Sequence, residues 1–122
     1  MSQPFLPPDD LPPAEVDQLD GILRRQLEDA IGRCFYEACD GVTQSLLTSC
    51  EWYITTKAIA LTLVINCPDL GLNWRVLNNI VPLGTRLEQF SASARIRISP
   101  PVGTGAPFEV RVDEISVYRD SP

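Results

Sequence analysis

From Val16 to Ala38 the apolar residues recur in steps of three and four. Val16, Leu19, Leu23, Leu27, Ala30, Cys34 and Ala38 trace one stripe, and Ile22, Ile31 and Phe35 widen it. That spacing follows the turn of an α-helix and predicts a long first helix with the stripe toward the core. Asp17, Arg24, Arg25, Glu28 and Glu37 fall on the other side. Pro13 suits the first turn, and Glu15, Asp17 and Asp20 favour the positive end of the helix dipole. Asp20–Arg24, Arg25–Asp29 and Asp29–Arg33 stand four residues apart, a spacing worth about 0.3–0.5 kcal/mol per pair. Gly41, after Asp40, is the expected stop. Gly32 inside the helix costs about 1 kcal/mol against alanine, and marks either a close packing contact or a weak point. About 26 helical residues would reach roughly 39 Å. That is long for the body that follows, so part of the helix is expected to project or to pair with another subunit.

The period then changes from about four to two. "SLLTSCEWYI" reads as a strand, with Leu46, Thr48, Cys50, Trp52 and Ile54 on one face. "TTKA" turns the chain, and "AIALTLVIN" follows as a second strand. Neither face of this run is strongly polar, so it reads as a central strand covered on both sides. Residues 73–90 are helical in two pieces, with Asn73 as a cap and a break at Pro82, which lacks an amide donor. "SARIRIS" alternates cleanly, with Ala94, Ile96 and Ile98 inward and Arg95, Arg97 and Ser99 outward. After the loop "PPVGTGAP", the run "FEVRVDEISVYR" places Phe108, Val110 and Val112 inward. Ile115 and Val117 fall out of that phase, and a bulge near Asp113–Glu114 would restore them. The order is α-β-β-α-β-β. It predicts a two-layer α+β domain over residues 14–122, with the long helix and the second helical segment packed on a mainly antiparallel four-stranded sheet.

Residues 1–13 change the picture at the N-terminus. Pro4, Pro7, Pro8, Pro12 and Pro13 crowd this stretch, which reads as an extended, flexible acidic tail. Its docking alternative would use Phe5 and Leu6 as apolar anchors. Charge is uneven too. Of the net −6, residues 1–20 carry −5 with no Lys or Arg, leaving −1 for the rest. A nearly neutral body lacks a bulk electrostatic drive toward nucleic acid.

The chain has no histidine. That excludes Ser-His-Asp and Cys-His catalysis within it and removes the commonest metal ligand. No motif fixes a reaction, so an enzyme is the less favoured reading, and no catalytic, cofactor or metal-binding residue is assigned. The start lacks a signal-peptide pattern, and no apolar run approaches the ~20 residues of a membrane-spanning helix. These features point to a cytoplasmic protein with reduced thiols and no membrane partner.

Four features are candidates for chemistry. Cys34, Cys39, Cys50 and Cys67 are spaced C-x4-C, C-x10-C and C-x16-C, unlike the tight pairs of structural zinc sites. The apolar stripe places Cys34 in the core. Cys39, off that stripe, is the candidate reactive thiol. Arg95, Arg97 and Arg111 fall on outward faces of two adjacent strands, where they could meet an anion or an acidic partner, or pair with Glu109 and Asp113. "PLGTR", Pro82–Arg86, has one glycine ahead of a helical turn, a weak anion-site signal. Trp52, Tyr53, Trp74 and Tyr118 are candidates for core or interface.

The functional expectation is a small non-enzymatic protein–protein interaction or assembly module, homodimeric or part of a larger complex. Binding of nucleic acid or another anion at the arginine face is the alternative. A thiol-based redox or metal-cluster protein is the second.

Overall fold

The computed structural model describes residues 13–56 and 60–119, with side chains from residue 19 to residue 115. The tail expected over residues 1–13 lies outside this range except for Pro13, which opens the first helix. The long apolar stripe does form a helix, α1 (Pro13–Ala38). Asp40 then caps a second helix, α2 (Gly41–Thr48), by accepting a hydrogen bond from the Thr43 amide at 2.8 Å. This corrects the reading of Ser45–Thr48 as strand. Thr43 and Leu47, four residues apart, are both buried, and a side-chain cap together with a helical pair outweighs two-residue alternation.

The sheet follows as β1 (Glu51–Thr55) and β2 (Thr62–Asn66), an antiparallel pair. Then come α3 (Leu70–Asn78) and α4 (Ile80–Leu87). Asp69, not Asn73, caps α3, accepting from the Leu72 amide at 2.8 Å. The break falls at Asn79 rather than Pro82. Pro82 is the third residue of α4, where an amide has no partner within the helix to lose. Strand β3 (Arg95–Ser99) lies parallel to β2, and β4 (Phe108–Arg111) returns antiparallel to β3.

No bulge carries the chain past β4. Helix α5 (Val112–Arg119) begins there instead. Glu114 reaches back to accept from the Arg111 amide at 3.0 Å, one half of a capping box. Val112 and Ile115, both buried, stand three residues apart, so the loss of phase marked a change from strand to helix.

The fold is therefore α+β: five helices among the described residues and a mixed, mostly antiparallel sheet in the order β1-β2-β3-β4. One sheet face carries Ile54, Leu63, Ile65, Ile96 and Ile98, which are buried with Phe35, Leu47, Val76, Leu83, Leu87 and Ile115 from the helices. The other face carries Tyr53, Val64, Arg97 and Glu109 along one row of the register. Thr62 and Val64 are buried on that face as well. β2 is thus buried on both faces over Thr62–Ile65, as its apolar run led one to expect.

Candidate functional site

Helix α1 does not present its longest apolar stripe to the core. Its buried positions are Glu28, Gly32 and Phe35, with Cys39 buried just past its end. Trp52 lies across the helix at Gly32, where a Cβ would meet the indole ring at 3.7 Å, an ordinary van der Waals contact. Glu28, though buried, accepts from the Thr56 amide at 2.6 Å and the Thr56 hydroxyl at 3.0 Å, tying α1 to the end of β1. At 100° per residue, the stripe through Leu19, Leu23, Leu27, Ala30 and Cys34 lies roughly 140° around the helix from that buried line. Leu19, Ile22, Leu23 and Leu27 are 51%, 47%, 62% and 55% exposed. The expected orientation is thus reversed: Cys34 is exposed and Cys39 is buried. None of the three four-residue charge pairs expected on α1 forms. Ion pairs form instead at β3, β4 and the start of α5.

An open groove of about 760 Å³ runs between α1 and β1. Tyr36 stacks on Trp52 in its wall with ring centroids 6.0 Å apart, and Phe35 approaches the same indole at 6.1 Å. Tyr53, on the outer sheet face, and Trp74, on α3, are both exposed. The side chain of Tyr118 lies outside the described ones.

The structure brings Arg95, Arg97 and Arg111 onto one exposed sheet face, with acids among them. Arg95 and Arg97 both donate to Glu109, at 3.3 and 3.4 Å, and Arg111 donates to Asp113 at 3.1 Å. Glu114 lies 4.0 Å from Arg111. Three carboxylates thus stand against three guanidiniums, leaving little net field for an anion. Gly84 forms no anion loop: it lies within α4, packed under Ile115 of α5.

The four cysteines are free. The Cys39 thiol is pushed up to about 11 by burial and by the Asp40 charge, against a smaller opposing pull from Arg86. A thiol so held is a weak nucleophile. The pairing that sequence spacing missed is Cys50 with Cys67, which line one hollow together. The signal was the hairpin register. Turning the chain at "TTKA" sets Cys50 opposite Leu63. The observed ladder pairs Glu51 with Asn66, which brings Cys50 to Cys67 one step on.

No group of three or more Cys, Asp or Glu side chains gathers to hold a metal ion among the described residues. No helix among them is long and apolar enough to cross a membrane. No protein-family model, curated protein or solved structure matches the chain.

Proposed function

We propose that the protein is a small assembly module that associates with a second copy of itself through the outward stripe of α1. The observation behind this is the uncovered line of Leu19, Ile22, Leu23 and Leu27 on the half of the helix that precedes its anchorage at Glu28. A contiguous line of large exposed side chains is unusual on a monomer's surface, and such lines mark association sites. Steps of four, four, three and four through Leu19, Leu23, Leu27, Ala30 and Cys34 suit the seam of two packed helices. A second copy supplies the same stripe, which is what a two-fold interface requires. The Arg95, Arg97 and Arg111 face plays no part in this reading.

Sedimentation velocity at high micromolar concentration tests the proposal. The wild-type chain is expected to run as a dimer. Leu23→Glu with Leu27→Glu is expected to run as a monomer with an unchanged circular dichroism spectrum, because both positions lie off the core. A wild-type chain that stays monomeric throughout, or a double variant that still dimerises, would overturn it.

A further inference from the structure

We propose that Cys50 and Cys67 are a redox-active dithiol, which closes to an intramolecular disulfide by exchange with a small disulfide of the glutathione class and reopens with excess thiol. This rests on the β1–β2 hairpin and is independent of the α1 interface.

The antiparallel register runs from Thr55 opposite Thr62 to Glu51 opposite Asn66. One further step sets Cys50 opposite Cys67. Residues opposite each other in such a ladder hold their Cα atoms about 4.5–5.5 Å apart, within the span a disulfide bridges. Both cysteines line the same hollow at the end of that ladder. Both backbones are fixed: the Cys50 amide donates to the Leu47 carbonyl at 3.0 Å, and the Cys67 amide to the Ser99 carbonyl at 2.9 Å. Closure therefore calls for side-chain rotation rather than movement of the sheet.

Access is from one side. Ser49, Cys50, Glu51, Asn66, Cys67 and Pro68 line an open hollow of about 360 Å³. Cys50 is half-buried and Cys67 is buried. That difference assigns the roles. The Cys50 thiolate attacks one sulfur of the small disulfide, forming a mixed disulfide and releasing one glutathione thiolate. The Cys67 thiol gives up its proton to solvent, attacks the Cys50 sulfur and displaces the second glutathione. Two protein thiols are oxidised and one glutathione disulfide is reduced to two thiols. Burial raises both protein thiols, Cys67 to about 12 with Cys50 and then Asp69 adding to it, so exchange is slow at neutral pH and faster in mild alkali. Neither remaining cysteine has such a neighbour: Cys34 is exposed on the α1 stripe, and Cys39 is buried beside Asp40.

The test uses the full chain, incubated with oxidised glutathione in mild alkali and digested with trypsin and an aspartate-specific protease. Cys50 then lies alone in Asp40–Lys57 and Cys67 alone in Ala58–Pro68. The expected result is those two peptides joined, an intact mass lower by two hydrogens, and full reversal by dithiothreitol. The oxidised chain should melt roughly 10 °C higher, as for a bond closing a loop of this length. Cys67→Ala should instead trap Cys50 as a stable mixed disulfide. Should that variant misfold, mapping of the native chain still decides the matter. Cys50 and Cys67 left as thiols, Cys50 left as a mixed disulfide beside a free Cys67, or a bond to Cys34 or Cys39 would each overturn the proposal.

Discussion

Gly84 shows how one absent methyl group sets the contact between two helices. A Cβ at this position would lie 2.6 Å from Cδ1 of Ile115, whose side chain is itself buried. Alanine gains about 1 kcal/mol of helix propensity over glycine but over-packs a filled site, at a cost of roughly 1–3 kcal/mol. Gly84→Ala is expected to lower stability in urea unfolding. Ile115→Val removes the colliding atom, so the double variant should lose less than the sum of the two single changes. Strictly additive losses would show that the α4–α5 contact is looser than the structure has it. Gly32 differs, since a Cβ there would meet the Trp52 indole at 3.7 Å, an ordinary contact that leaves room for alanine. The difference is not legible in the sequence, where each is a lone glycine within a helical pattern. Both depend on which side chain arrives from elsewhere in the chain.

At the scale of elements, the misreadings share one cause. Alternation and helical spacing overlap in short runs, and a cap decides between them. Asp40 turned Gly41–Thr48 into a helix, and Glu114 did the same for Val112–Arg119. Asp40 also predicts a dependence on pH. The backbone amide of Thr43 bonds its carboxylate and holds the group below its ordinary 3.8. A lowered carboxylate contributes stability that is present above its unfolded value and lost as pH falls through its folded value. The urea midpoint of the wild type should therefore fall between neutral pH and strong acid by more than that of Asp40→Asn. Asparagine caps a helix without a titrating charge. Equal falls in the two proteins would show that the cap contributes through geometry alone.

At the scale of the whole molecule, every helix with a described core residue lies on one sheet face, while Leu19, Ile22, Leu23 and Leu27 of α1 stay exposed. If α1 pairs with a second copy, folding and association are linked. The melting temperature of the wild type should rise with protein concentration, and that of Leu23→Glu with Leu27→Glu should not. A wild-type melting temperature independent of concentration would count against pairing through this helix. The β1–β2 hairpin lies at one edge of the sheet, so a bond between Cys50 and Cys67 would staple the edge strand to its neighbour. That bond and the α1 interface can be altered separately.

The sequence by itself determined that α1 is long, that two hairpins form one mainly antiparallel sheet beneath helices, and that Ala94, Ile96 and Ile98 point into the core. Those features follow from local period, and period is a property of neighbours along the chain. It also determined what chemistry is absent, since a chain without histidine cannot acquire one by folding. Only the tertiary structure decided which side of α1 is covered. Its outward stripe and its inward line of Ile31, Phe35 and Cys39 are both apolar, and the choice depended on where β1 brought Trp52 and where Thr56 met Glu28. The pairing of Cys50 with Cys67 was decided in the same way. A register two strands long sets it, and a shift in the turn would have sent the two thiols to different partners.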